Sequence, residues 1–124
     1  MITALGIDLV DVARIEKSVD RWGKRFLDRV FTSAEIEYCQ GRGERFRSLA
    51  ARFAAKEAAM KALGTGWQHG VRWVDLELVR EPGQAPRVQL HGRAAELAEG
   101  CRFLVSLTHT DTQAIAVVVA ETNP

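Results

Sequence analysis

Two carboxylates and a lysine stand out for the chemistry that they could perform together. Asp8 lies within the apolar run LGIDLV, and Glu57 and Lys61 lie four residues apart in the alanine-rich stretch FAAKEAAMKALGTG. An ionised carboxylate in an apolar environment is costly unless it is paired or bound to a metal. Mg²⁺ prefers carboxylate oxygens together with water and substrate phosphates. A lysine one helical turn from the carboxylate can neutralise charge on a transferred group. The spacing therefore favours a Mg²⁺ site that acts on phosphates.

Both carboxylates also have a simpler interpretation. Asp8 could pair with an arginine or cap a helix, and Glu57 could form an exposed pair with Lys61 that contributes about 0.3–0.5 kcal/mol. The alanines around Glu57 argue against open water, because small residues on all sides of a helix imply close neighbours. They are Ala50, Ala51, Ala54, Ala55, Ala58, Ala59 and Ala62. Glu57 is therefore expected to face a cleft.

The first half of the chain should position these groups on one strand and three helices. Residues 2–10 form a nearly continuous apolar run, which predicts a buried strand with Gly6 and Asp8 on one face. A helix is predicted over 12–22 with Asp11 as its cap, and a capping box from Thr32 to Glu35 predicts another through about residue 40. The longest helix is predicted over 46–63, ending at Gly64. Gly6 beside Asp8 should let a neighbouring group approach the backbone closely.

The second half is predicted to be mostly strands. The sequence indicates a strand over 71–80, a short strand over 87–90, a short helix over 92–99, and a hairpin of 103–107 with 114–120. Strands and helices do not alternate strictly, which indicates the α+β class. The length of 124 residues suits one domain spanning 1–124.

Composition limits the compartment and the partners. The formal net charge is +1, with 12 Lys/Arg against 9 Asp/Glu in residues 1–63 and 5 against 7 in residues 64–124. The basic face of Arg14, Arg21 and Arg25 could simply be solvated, since acidic residues at 16, 20 and 28 dilute it, or it could dock an acidic protein. The low charge and few aromatics disfavour nucleic acid. Cys39 and Cys101 have no metal-ligand spacing and are expected to be free thiols. No signal peptide or membrane span is predicted, so we expect a cytoplasmic protein.

Three blocks of sequence together resemble the holo-[acyl-carrier-protein] synthase family, the small bacterial 4′-phosphopantetheinyl transferases. The first block is Gly6-Ile7-Asp8 with Arg14-Ile15-Glu16. The second and most specific is Arg52-Phe53-Ala54-Ala55-Lys56-Glu57-Ala58 running on to Lys61 and Gly64-Thr65-Gly66. The third is Ser106-Leu107-Thr108-His109. The resemblance extends over essentially the whole chain and implies a small, mostly antiparallel sheet packed with helices.

The resemblance implies an activity and a role for each candidate residue. Coenzyme A would donate its phosphopantetheine arm to a serine of apo acyl carrier protein, in support of fatty acid biosynthesis. Asp8 and Glu57 would hold Mg²⁺, Lys61 would contact the pyrophosphate, and Glu57 could accept the serine proton. The remaining coenzyme A contacts would come from Arg45, Arg52, Gly64, Thr65, Gly66 and His109. Arg14, Arg21 and Arg25 would dock the carrier protein, and the family implies a homotrimer with active sites at subunit interfaces.

Two other functions fit parts of the same pattern. A non-catalytic module could bind an acidic protein through the Arg14 face, but it would not need a carboxylate pair beside a lysine. A nucleotide hydrolase could use the same site, and it would release free phosphopantetheine instead of modifying a protein.

Overall fold

One antiparallel sheet and a long central helix form the framework of the protein. The computed structural model describes residues 1–41, 43–64 and 69–122. Five strands pair in the order β1-β5-β4-β3-β2, each antiparallel to its neighbours. Their bounds are β1 Ile2–Asp11, β2 Leu76–Val79, β3 Arg87–Leu90, β4 Cys101–His109 and β5 Gln113–Thr122. The predicted α+β class with a mostly antiparallel sheet is confirmed.

The helices cover one face of this sheet. Their bounds are α1 Val12–Trp22, α2 Lys24–Val30, α3 Ser33–Gln40, α4 Arg45–Leu63 and α5 Gly92–Leu97, with a short 3₁₀ helix at Trp73–Asp75. Helix α4 is the longest, and its alanines are buried on all sides, as their distribution predicts. Within the described part of the chain, no helix is long and apolar enough to span a bilayer.

A glycine allows α4 to lie directly on β1. A Cβ atom added at Gly6 would lie 1.9 Å from the carbonyl oxygen of Ala58 and 3.0 Å from the amide nitrogen of Ala62. The expected close approach at Gly6 is therefore made by the α4 backbone itself. This contact brings Asp8, on the same face of β1, next to the helix that carries Glu57 and Lys61.

Several local signals predict their elements correctly. Thr32 and Glu35 form both hydrogen bonds of the capping box at the start of α3. Gly64 ends α4 in the left-handed conformation with φ 76°. The β4–β5 hairpin closes with the Thr110 amide donating to the Gln113 carbonyl at 2.8 Å.

Strand β1 is buried on only one face, so the prediction of a fully buried strand is wrong for this chain. Leu5, Ile7 and Leu9 are 63%, 55% and 57% exposed. They pair with Val119, Val117 and Ile115 of β5, which are half-buried. The apolar run therefore covers two faces, one on α4 and one forming an apolar outer surface, because the described helices lie on the other face of the sheet.

Two other elements differ from the sequence predictions. The first half of the predicted strand 71–80 is the 3₁₀ helix, because the buried Asp75 carboxylate accepts hydrogen bonds from the Arg72 amide and guanidinium and thereby closes a turn. Helix α2 was not predicted, since seven residues are too few to show a clear helical period.

Candidate active site

A lysine on α4 reaches across to the carboxylate of β1. The Lys61 ammonium lies 3.1 Å from Asp8 Oδ1 and donates to the Ile7 carbonyl oxygen at 2.9 Å. The Asp8 side chain is 17% exposed, and the Lys61 side chain is 55% exposed. An ammonium has three hydrogens to donate, so Lys61 can hold both acceptors and still meet an incoming anion.

Glu57 completes the cluster from the same face of α4. Burial raises the pKa of the Glu57 carboxyl, and the negative charge of Asp8 raises it further, whereas Arg14 and Lys61 act in the opposite direction. Among the described residues no ion pair joins Glu57 to Lys61, which pairs with Asp8 instead. The simple helix pair considered for Glu57 is therefore not formed, and the charge of Asp8 acts on the Glu57 carboxyl within one chain.

The donor set of this cluster fits Mg²⁺. Two carboxylates close enough for one to raise the pKa of the other would repel less with a divalent cation between them. The described residues hold no group of three or more potential ligand side chains. Two carboxylates nevertheless suit Mg²⁺, which keeps several waters and shares substrate phosphates. Asp8 and Glu57 are thus the side chains that could hold it.

An aromatic groove is lined by residues of α1, α2, α4 and the 3₁₀ helix. It has a volume of about 440 Å³ and is lined by Arg14, Trp22, Arg25, Phe26, Arg29, Val30, Phe53 and Trp73. The Phe53 and Trp73 rings stack with centroids 4.8 Å apart, and the Arg14 guanidinium carbon lies 5.2 Å from the centroid of Phe53. Arg14 thereby contacts the groove and also acts on Glu57, where its positive charge partly offsets the rise in the pKa.

The predicted basic face is built over aromatic rings. The guanidinium carbons of Arg21 and Arg25 lie 4.8 and 6.0 Å from the centroid of the Trp22 ring, and Trp22 and Arg25 line the groove. Trp73 was not singled out from the sequence, because it comes to the groove from the unpredicted 3₁₀ helix. The sequence did contain one signal for the groove: the spacing of four residues places Phe53 on the same face of α4 as Glu57.

The remaining predicted residues lie apart from the carboxylates. Arg45 begins α4 and lies 5.5 Å from the Phe46 ring centroid, and His109 ends β4 exposed to solvent. Arg52 is only 7% exposed and lies 4.0 Å from the Tyr38 ring centroid. Within the described part of the chain, no hydrogen bond or ion pair joins these three to Asp8 or Glu57. Gly64 is the exposed cap of α4, and Thr65 and Gly66 lie outside the described residues.

Comparison with known proteins finds the family that the sequence resembles, over nearly the whole chain. The model of the 4′-phosphopantetheinyl transferase superfamily matches residues 4–118. A holo-[acyl-carrier-protein] synthase of Koribacter versatilis is 51% identical over 98% of this chain and 99% of its own. The crystal structure of the Helicobacter pylori synthase in complex with coenzyme A is 35% identical with a TM-score of 0.84, covering 94% of this chain and 99% of that one. The Neisseria meningitidis synthase has a TM-score of 0.86 at 31% identity, covering 98% and 100%.

The fold and the matched residues define a member of the 4′-phosphopantetheinyl transferase superfamily. Within that superfamily, the chain belongs to the holo-[acyl-carrier-protein] synthase family. The resemblance carried by the three sequence blocks is thereby confirmed.

Proposed function

We propose that the chain transfers the 4′-phosphopantetheine arm of coenzyme A to a serine of apo acyl carrier protein and releases adenosine 3′,5′-bisphosphate. The single observation that carries this proposal is the cluster of Asp8, Glu57 and Lys61 at the contact of β1 with α4, in a chain of this family. Relatives named for this reaction, and a solved relative bound to coenzyme A, support it.

Glu57 is the proposed acceptor of the serine proton, directly or through a water. Its raised pKa makes it a stronger base than an exposed glutamate. The serine oxygen attacks the phosphorus that carries pantetheine and forms the new P–O bond. The bond from that phosphorus to the bridging oxygen breaks, and the bisphosphate leaves with the electron pair. Lys61, with its half-exposed ammonium, holds the pyrophosphate and offsets charge on the transferred group.

Asp8 and Glu57 are the proposed ligands of Mg²⁺. When bound, the ion would neutralise pyrophosphate charge and orient the reacting groups. Asp8 is held in place for this role by Lys61 and by the close contact of Gly6 with α4. Arg52, Arg45, Gly64, Thr65, Gly66 and His109 remain the proposed further contacts for coenzyme A.

The carrier protein is proposed to dock along α1 and the aromatic groove. Arg14, Arg21 and Arg25 offer positive charge to an acidic helix, and the groove contains Phe53, four residues before Glu57 on α4. Charge complementarity of this kind raises the association rate and fixes the orientation of the partner. A serine on the docked helix could then reach the carboxylates.

A homotrimer is proposed to cover the outer face of β1, β5 and β4. Leu5, Ile7, Leu9 and Leu104 are exposed there, and Leu5 and Leu104 both pair with Val119. A continuous apolar surface of this kind indicates an interface. A second copy is the fitting occupant because the face lies on the strand that carries Asp8, where subunit contact would support the active site.

The product belongs to acyl-chain metabolism. A carrier protein bearing phosphopantetheine presents a terminal thiol for acyl chains, so we propose a role in fatty acid biosynthesis in the cytoplasm. Cys39 is buried and Cys101 half-buried, and no disulfide joins them.

Product analysis separates this function from its alternatives. The protein would be incubated with coenzyme A, Mg²⁺ and apo carrier protein, and the small molecules separated by chromatography. A transferase forms adenosine 3′,5′-bisphosphate only when the carrier is present, in equal amount to modified carrier. Free phosphopantetheine would indicate a hydrolase, and intact coenzyme A with carrier bound would indicate a docking module.

A further inference from the structure

Lys56 is a fully buried lysine beside Glu57 that the proposed reaction does not use. Its side chain is 0% exposed. The ammonium donates to Glu35 Oε1 at 2.8 Å, to the Leu76 carbonyl at 2.8 Å and to the Trp73 carbonyl at 3.1 Å. These three acceptors match its three hydrogens. Burial lowers the pKa of Lys56, and the Glu35 carboxylate opposes this effect.

The partner carboxylate is equally enclosed. Glu35 is 1% exposed and accepts hydrogen bonds from the Thr32 amide at 2.9 Å and the Leu78 amide at 3.1 Å. The pair therefore connects α3, α4, the 3₁₀ helix and β2. A buried ion pair of this kind adds little stability compared with apolar residues of the same size. We therefore ask what its geometry holds in place.

The geometry holds Trp73 at two points on one turn of α4. Its carbonyl oxygen accepts from Lys56, and its ring stacks on Phe53 at an interplanar angle of 20°. Phe53 and Lys56 are three residues apart, so they are neighbours on the helix surface. The Arg14 guanidinium lies over the Phe53 ring. Phe53 and Trp73 both line the groove, so the place where Lys56 holds the Trp73 backbone affects the shape of the groove.

We propose that Lys56 is a positioning residue for the carrier protein: by fixing the Trp73 backbone it places the Trp73 ring against Phe53 and shapes the groove that receives this substrate. This inference rests on the proposed function, which supplies the substrate. It predicts that Lys56 acts through Trp73. A purely structural ion pair would instead affect both substrates alike, in proportion to lost stability.

A double-mutant cycle tests this coupling. Steady-state kinetics would be measured for wild type, Lys56→Met, Trp73→Ala and the double variant, each at saturating coenzyme A and then at saturating carrier. We expect each single variant to raise the KM for carrier about tenfold, as loss of an interface anchor does. The KM for coenzyme A should stay within about twofold, and the double variant should be no worse than Trp73→Ala, because effects that share one path are not additive.

Three results would overturn the inference. They are an unchanged carrier KM in Lys56→Met, equal increases in both KM values, and multiplication of the single effects to about a hundredfold in the double variant. If wild type itself transfers nothing, the proposed function fails instead, so the two failures are distinguishable.

A milder variant keeps the test open if Lys56→Met does not fold. Glu35→Gln removes the charge of the partner but leaves one oxygen to accept from Lys56. We expect a smaller increase in carrier KM, about threefold, with coenzyme A KM unchanged, since a neutral acceptor holds the ammonium less tightly. Unchanged carrier KM in a folded Glu35→Gln, or an equal rise for both substrates, would contradict the inference.

Discussion

Lys61 of α4 forms hydrogen bonds to two residues of β1: its ammonium lies 3.1 Å from Asp8 Oδ1 and 2.9 Å from the carbonyl oxygen of Ile7. The same ammonium lowers the pKa of Glu57 one turn earlier in the helix. One lysine therefore orients the first carboxylate and partly offsets the rise that burial and Asp8 cause in the pKa of the second.

Lys61→Met should slow transfer and shift its pH dependence. The rate should fall about 10²–10³-fold, as on loss of one preorganised electrostatic contact. Because Lys61 lowers the pKa of Glu57, its removal should raise that pKa and move the acidic limb of the kcat/KM profile to higher pH. The profile would be measured beside Lys61→Arg, which keeps the charge. An unmoved limb in Lys61→Met would disprove the coupling.

Glu57→Gln should stabilise the protein at neutral pH while removing activity. The pKa of Glu57 in the folded state lies above its ordinary value of 4.5. Below pH 4.5 the carboxyl is protonated in both the folded and the unfolded protein, so it does not change the free energy of unfolding. As pH rises through the raised pKa, ionisation of the buried carboxyl destabilises the folded state. The Tm of Glu57→Gln should therefore exceed that of wild type at pH 7, and the two should converge under acid conditions. Equal Tm values at every pH would contradict the raised pKa.

Gly6→Ala should separate β1 from α4. The added methyl group would overlap the Ala58 carbonyl oxygen, at 1.9 Å. We expect a loss of about 1–3 kcal/mol in the free energy of unfolding, measured by urea denaturation, together with reduced transfer because Asp8 moves from Glu57. Gly43→Ala is the matched control, since a Cβ there meets no atom within 4 Å. A stable, active Gly6→Ala would show that this contact does not position Asp8.

Leu5→Lys should dissociate the proposed trimer. Leu5 is 63% exposed in the single chain and lies on the outer face of β1. A lysine in a buried apolar interface leaves an unpaired charge, so light scattering after size-exclusion chromatography should report a monomer. Trp22→Lys, exposed on α1 away from that face, should remain trimeric. A monomeric wild type, or a trimeric Leu5→Lys, would refute this interface.

Local signals in the sequence predicted much of the fold because each of them acts within one turn or strand. The capping box of Thr32 and Glu35, the glycine cap at Gly64 and the β4–β5 hairpin are examples. The approach of Asp8 to Glu57 was inferred from chemistry, and Gly6 provided the physical clue to it. The roles of the site residues stay predictions.

Contacts between distant residues account for what could not be predicted. Glu35 was recognised only as a cap, although its other partner, Lys56, lies 21 residues away. The 3₁₀ helix replaces a strand because Asp75 caps it locally and Lys56 holds the Trp73 and Leu76 carbonyls. Neither Lys56 nor Trp73 occupies a position that periodicity marks as special. The exposed face of β1 was missed because an apolar run does not reveal whether the chain itself covers both sides.

The most direct test of the central claim is the intact mass of apo carrier protein after incubation with coenzyme A, Mg²⁺ and one form of this protein. The forms compared are wild type, Asp8→Asn, Glu57→Gln and Glu37→Gln. Glu37→Gln is the control, because Glu37 is exposed on α3. We predict a gain of one phosphopantetheine with wild type and the control, none when EDTA replaces Mg²⁺, and rates lowered about 10²–10⁴-fold in the two carboxylate variants. Full modification by folded Asp8→Asn or Glu57→Gln at the wild-type rate would contradict the assignment of this pair as the active centre.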